Sequence, residues 1–93
     1  MIIGLLTIRI HIPASNSLKV KRMATKSVKE RLRNRFNVSV AEVGEHEKWQ
    51  LADIAVCSVS GTKANVNSTL SMVLNFVDNF KQVDIVDHQI ELL

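Results

Sequence analysis

Basic side chains recur at helical spacing near the amino end of the chain and could bind a polyanion. Eight of the twelve lysines and arginines lie between positions 19 and 35, where the only acid is Glu30. Five follow the spacing i, i+3, i+7, i+10 and i+14, which places them within about 80° of arc on a helical wheel. These five, which we call the basic ridge, are Lys19, Arg22, Lys26, Lys29 and Arg33. Each can neutralise one phosphate without reading a base.

This charge segregation predicts a nucleic-acid-binding protein, with RNA or a ribosomal particle as the expected partner. The predicted contact residues are the basic ridge together with its neighbour in the chain, Lys21. The alternative is a solvated helix face whose charge only confers solubility. The chain contains no Tyr and one Trp, so it lacks the aromatic sheet platform on which RNA-recognition motifs stack bases. Sequence-specific binding of single strands is therefore not expected.

Two serines before the basic helix form a second, weaker candidate site. Ser15 and Ser17 lie at the amino end of that helix, where free N–H groups and the helix dipole favour an anion. A phosphate could dock there. The alternative is that Ser17 only caps the helix.

No arrangement of catalytic or metal-ligating residues is visible, so we expect no enzymatic activity, no cofactor and no metal site. The three histidines are scattered over different predicted elements, and none has the spacing of a zinc protease motif. Cys57 has no neighbour in sequence that would stabilise a thiolate, and a lone cysteine indicates a reducing compartment. A phosphoryl-transfer enzyme using Arg9 is a third hypothesis, but no glycine-rich phosphate cradle accompanies that arginine.

Hydrophobic periodicity divides the chain into six elements. Apolar residues alternate with a period of two in four segments and recur at three and four in two others. The predicted strands are residues 2–12, 38–45, 50–60 and 83–92, and the predicted helices are residues 18–37 and 61–80. On the last strand, Val86, Ile90 and Leu92 are expected to face the core. Trp49 precedes the third strand, and we predict that it packs at the edge of the core. An exposed anchor for a partner is the alternative for this ring.

The order β-α-β-β-α-β, with right-handed crossovers, predicts an α+β ferredoxin-like sandwich occupying residues 1–93 as a single domain. Its four-stranded antiparallel sheet would have the order 4-1-3-2, with both helices on one face. The uncovered face would hold Arg9 beside Asp53 as an ion pair. That face would also carry an apolar patch of Leu5, Leu51, Ala55 and Val59. Since monomers usually avoid such patches, a homodimer or protein-interaction module is the alternative function.

No segment reaches the roughly 20 apolar residues of a membrane helix. The apolar start lacks the basic region and cleavage site of a signal peptide. We therefore expect a cytoplasmic protein without membrane contact.

Three runs of the sequence also carry a resemblance to a known family. They are Ile-Pro-Ala-Ser at 12–15 with Ser-Leu-Lys-Val-Lys-Arg at 17–22, Arg-Phe-Asn-Val-Ser-Val-Ala-Glu-Val at 35–43, and Trp-Gln at 49–50. The chain resembles the YlxP-like family of small bacterial proteins, a domain of unknown function. The resemblance implies a ferredoxin-like fold and a cytoplasmic protein whose gene commonly lies among translation-initiation and ribosome-maturation genes. It implies no catalytic residues.

Overall fold

The computed structural model describes residues 1–93 and contains all six predicted elements. In chain order they are β1 (Ile2–His11), α1 (Leu18–Arg35), β2 (Ser39–Gly44), β3 (Leu51–Ser60), α2 (Lys63–Asp78) and β4 (Asp84–Leu92). Every boundary lies within two residues of its predicted position. No helix of the structure combines the length and the apolar character needed to cross a membrane.

The four strands form one antiparallel sheet in the order β2-β3-β1-β4. This is the predicted order 4-1-3-2 counted from the other edge, so the α+β ferredoxin-like sandwich is confirmed. Helix α1 lies over the edge strand β2, and α2 lies over β1, β3 and β4. The sheet therefore has one face covered by helices and one open face.

Every second side chain of the central strands points toward the helices, and these side chains form the sheet's half of the core. On β1, Leu6, Ile8 and Ile10 are fully buried while the residues between them face the open side. Gly4 continues this buried row, because a Cβ there would overlap Val66 and come within 2.9 Å of Leu70 Cδ1. A glycine at this point lets α2 lie close to β1.

Each helix begins at a hydroxyl cap. The Ser17 hydroxyl accepts a hydrogen bond from the Val20 N–H at 3.1 Å, and the Thr62 hydroxyl accepts one from the Asn65 N–H at 3.2 Å. These bonds satisfy donors that lack a partner inside the helix. Helix α1 ends at Arg35 rather than at the predicted Asn37, because Phe36 already has an extended backbone.

The edge strand β4 differs from its prediction because its pairing with β1 shifts between Arg9 and Ile10. This β-bulge turns the side chain of Val86 outward, where it is 57% exposed. The prediction that Val86 faces the core was therefore wrong, and Ile85 packs against the core instead. Ile90 and Leu92 pair with Leu6 and Gly4 on the helix-covered side, but they are only partly covered at the sheet's edge.

Candidate nucleic-acid interface

The basic ridge lies on the outer flank of α1, beside the free edge of β2. Arg33 fixes this placement, since its Nη2 donates to the main-chain carbonyl of Val40 on that strand at 2.6 Å. The opposite flank of α1 faces α2. There the guanidinium of Arg31 lies 5.0 Å from the ring centroid of Phe80, and that of Arg35 lies 5.4 Å from the ring centroid of Phe76. The ridge therefore points away from the other helix.

Most of the ridge cations have no acidic partner. Lys29 is half-buried, and the other four ridge residues are exposed. Within 4 Å, the only carboxylate near any of them is that of Glu30, 3.9 Å from the Lys26 ammonium. Exposed pairs of this kind contribute little stability and are screened by salt. A phosphate approaching the ridge would therefore displace at most one weak contact to a carboxylate.

Lys21 is not part of this exposed surface, contrary to its prediction as a contact residue. Its side chain is 1% exposed, and its Nζ lies 3.4 Å from Glu42 Oε2 and also donates to two main-chain carbonyls of the β2–β3 connection. The helical wheel explains this, because Lys21 lies seven and eleven residues before the buried Val28 and Leu32. It therefore shares their core-facing side of α1.

The two serines of the weaker anion site make contacts within their own loop. Ser15 is 2% exposed, and its hydroxyl donates to the Ser17 carbonyl at 3.0 Å. The Ser17 hydroxyl caps α1, which is the alternative considered for it. Both hydroxyls are therefore engaged within the protein itself.

The predicted pair between Arg9 and Asp53 is confirmed on the open face of the sheet. Arg9 Nε donates to Asp53 Oδ1 at 2.9 Å, and its Nη2 donates to Asp53 Oδ2 at 3.1 Å. A second carboxylate oxygen, Glu45 Oε1, lies 3.4 Å from Nη2. These bonds hold the pKa of Asp53 below its ordinary value, although partial burial opposes the shift. Two carboxylates already neutralise Arg9, so this arginine is poorly placed to bind a substrate phosphate.

Trp49 is exposed, so the prediction that it packs against the core was wrong. Its relative exposure is 57%, and it lies in the β2–β3 connection, outside both strands. The ring lines an open cleft of about 620 Å³ together with residues of the β1–α1 loop and the ends of β1 and β3. The sequence contained no signal for this, because the path of the connection depends on tertiary contacts.

Comparison with known proteins places the chain in a family. Residues 3–90 match the model of the family described as "Protein of unknown function (DUF503)". The chain belongs to this family. Its description assigns no activity, so the family transfers no catalytic or ligand-binding residue to the ridge or the cleft.

A relative and a solved structure are similar to this family member. The relative is the "Uncharacterized protein YlxP" of Bacillus subtilis (strain 168), which is 34% identical over 70 residues, covering 75% of this chain and 76% of that protein. The expected membership of the YlxP-like family is thereby confirmed. The structure is the "De novo designed protein Foldit4", with a TM-score of 0.49 and 14% identity over 98% of this chain and 96% of that one. A likeness at that level says nothing about function.

Proposed function

We propose that this protein is a non-enzymatic binding protein that contacts the phosphate backbone of RNA, as part of a ribosomal particle, through the basic ridge. The observation that carries the proposal is the state of the ridge cations. They lie together on one outer flank of α1, and four of the five have no carboxylate within 4 Å. Unpaired cations in a row attract phosphates at long range and neutralise them on contact.

The length of the ridge suits several successive phosphates. Lys19 and Arg33 are fourteen residues apart on one helix, a rise of roughly 21 Å. Contacts to the backbone position a protein on RNA without specifying a sequence, and structured RNA is recognised largely by shape and backbone. The proposal therefore predicts binding that depends on salt more than on sequence.

The first test is the salt dependence of binding to a labelled RNA hairpin, measured by fluorescence anisotropy. Four phosphate contacts give a slope of about −3 to −4 in a plot of log affinity against log salt, or ~10²-fold weaker binding at 200 mM than at 50 mM. Co-sedimentation with ribosomal particles over the same salt range extends the test to the proposed partner. A slope near zero in the anisotropy experiment would contradict the proposal.

The second test removes the ridge. A variant with Lys19→Gln, Arg22→Gln, Lys26→Gln and Lys29→Gln should lose hairpin binding and co-sedimentation at 50 mM salt, because it removes four of the five cations. Its circular dichroism spectrum should match that of the wild type. If this variant and the wild type bind equally at low salt, the ridge is not the binding surface.

A matched pair of variants separates the position of the charge from its amount. Lys19→Gln with Lys26→Gln removes two ridge lysines, whereas Lys63→Gln with Lys81→Gln removes two exposed lysines outside the ridge. Both variants have the same net charge. The ridge pair should weaken binding about tenfold at 100 mM salt and lower the salt slope by nearly two. The outer pair should leave the slope close to that of the wild type.

A second candidate function is self-association through the open face of the sheet. One end of that face is apolar, since Ile3 pairs with Val59, which is 58% exposed, and accepts a hydrogen bond from the N–H of Leu93, which is 71% exposed. Sedimentation over a concentration series should then show a dimer in the wild type and a monomer in Val59→Lys. A strict monomer at high micromolar concentration would exclude this candidate.

A further inference from the structure

The exposed Trp49 is carried by a loop whose backbone is held from the side of α1. The buried ammonium of Lys21 donates to the carbonyls of Glu45 and Lys48, the latter at 2.8 Å, and lies 3.4 Å from Glu42. A buried ammonium without partners is strongly destabilising. The connection must therefore keep these two carbonyls near Lys21, which fixes its path. The residue immediately before Trp49 is thereby tied to the core-facing side of α1.

The residue after Trp49 is tied to a different element. The Gln50 carbonyl accepts a hydrogen bond from the Ile12 N–H at 2.8 Å. The side-chain amide of Gln50 donates to the carbonyls of Pro13 and Ser15 at 3.3 and 3.1 Å. Both neighbours of Trp49 are thus anchored, while its ring stays in solvent. An aromatic side chain on an anchored backbone loses less conformational freedom on binding than one on a mobile loop.

The cleft around the ring offers a flat apolar surface with polar groups at its edges. Beside the indole and Leu51, it is lined by His11, Ser15, Asn16, Lys48 and Gln50. The Gln50 amide is already bonded within the loop, but the side-chain amide of Asn16 is exposed and can pair with the edge of a planar heterocycle that lies on the indole. Stacking on an aromatic side chain with hydrogen bonds at the base edges is how proteins bind unpaired nucleobases.

We propose that Trp49 stacks on an unpaired nucleobase of the RNA held by the basic ridge. The inference rests on the proposed function, and continuity along the chain supports it, since Asn16 lines the cleft and the ridge begins three residues later at Lys19. Three residues span at most about 11 Å, so a phosphate bound at Lys19 lies close to the cleft, whereas nothing in the ridge attracts an apolar peptide. One stacked base gives a preference for single-stranded segments without a sequence code.

The experiment uses the intrinsic fluorescence of the wild-type protein. Trp49 is the only tryptophan, and the chain has no tyrosine, so emission excited at 295 nm reports this ring alone. Three probes are compared at 50 mM salt: a ten-nucleotide oligoadenylate, an abasic oligomer with the same number of phosphates, and a fully paired RNA duplex. We expect quenching by oligoadenylate only, while anisotropy shows that all three probes bind.

Variants then measure the affinity that the ring contributes. Trp49→Ala should weaken oligoadenylate binding about tenfold, the lower part of the range for loss of one stacked base. The same variant should bind the abasic oligomer as the wild type does, because the phosphate contacts are unchanged. Trp49→Phe should retain most of the affinity, since its ring can still stack. Matching circular dichroism spectra show that the variants are folded.

The outcomes distinguish this inference from the proposed function. If oligoadenylate and the abasic oligomer bind equally and neither changes the emission, stacking is overturned and the ridge stands. If oligoadenylate quenches Trp49 but the quadruple ridge variant binds it unchanged, stacking survives and the ridge fails. If no probe binds at 50 mM salt, both fail. A change in Trp49 emission with protein concentration alone, together with dimerisation in sedimentation, would assign the ring to a second copy of the chain and overturn the inference.

Discussion

The cations around the β2–β3 connection are paired with carboxylates, whereas most of those along the outer flank of α1 are not. At the connection, Arg9 is bonded to Asp53, the buried Lys21 lies by Glu42, and Lys48 Nζ lies 2.9 Å from Glu45 Oε2. On the flank, the basic ridge has a single weak contact to a carboxylate. The two regions use the same residue types, and Lys21 and Lys19 are separated by only one residue on the same helix.

The difference shows that position in the fold, rather than residue type, decides what a cation does here. Paired charges at the connection fix the backbone around Trp49 and hold the Arg9 side chain against the open face of the sheet. Apart from Arg33, which donates to the Val40 carbonyl, the ridge cations make only the weak Lys26 contact to Glu30, which leaves them available to an external anion. If this is correct, substitutions at the connection should cost stability, and substitutions on the ridge should leave stability nearly unchanged.

The largest effect is expected for Lys21→Met. Methionine keeps the apolar stem but removes the ammonium, which leaves Glu42 with only the exposed His46 imidazole within 4 Å and two carbonyls of the connection without their donor. Removing one member of a buried pair costs about 3 kcal/mol or more, equivalent to a fall in Tm of roughly 15 °C in a domain of this size. Chemical unfolding followed by circular dichroism measures the change.

The control for that variant is Lys19→Met, the same exchange at an exposed position of α1. Its free energy of unfolding should stay within about 0.5 kcal/mol of the wild type. If Lys21→Met is equally mild, then the connection does not depend on the buried ammonium and the contrast between the two regions fails.

A smaller effect is expected for Asp53→Asn, and it should depend on pH. Because Arg9 holds the folded-state pKa of Asp53 below 3.8, the stability from this pair is fully present above pH 3.8. It is lost as the pH falls through the lowered value. The variant should therefore melt about 5 °C below the wild type at pH 7, and the gap should narrow below pH 4.

The matched variant for Asp53 is Glu47→Gln, which neutralises an exposed acid in the same connection. Its melting temperature should follow that of the wild type at every pH. A gap between wild type and Asp53→Asn that stays constant from pH 7 to pH 3 would show that the pair does not contribute through its charge.

The fold and the ridge were predictable because each follows a single period. Alternation on β1 and the three-and-four spacing on α2 are set by the covered side of each element, whatever the rest of the chain does. The ridge follows the same helical period on α1. Its members were therefore correctly placed together on one flank, and the pair of Arg9 with Asp53 followed from the order of the strands.

Lys21, Trp49 and Val86 were placed wrongly for two different reasons. The helical period itself places Lys21 on the core-facing side of α1. A lysine is buried, however, only where other groups can bond its ammonium, and its partner Glu42 is far away in sequence. The exposure of Trp49 and Val86 depends on the path of a connection and on a β-bulge. Neither feature has a local period, so the sequence pattern could not reveal it.

The smallest and most discriminating effect is expected within the ridge, where Lys19→Gln and Lys26→Gln should change stability in opposite directions. Lys19 lies in the first turn of α1, which contains no acid, and a cation there opposes the helix dipole. Its removal should raise the free energy of unfolding by a few tenths of a kcal/mol at low salt. Lys26→Gln loses the pair with Glu30 and should lower it by about 0.3 kcal/mol.

Both changes should fade in 0.5 M salt, because exposed charges are screened. Parallel chemical unfolding curves at low and high salt measure them. A lysine that lowers the stability of its own helix has no structural role there. Such a cost is expected of a lysine that serves binding. A loss of more than 1 kcal/mol in Lys19→Gln would instead show that Lys19 supports the fold as Lys21 does. In that case, the two regions would no longer differ in kind.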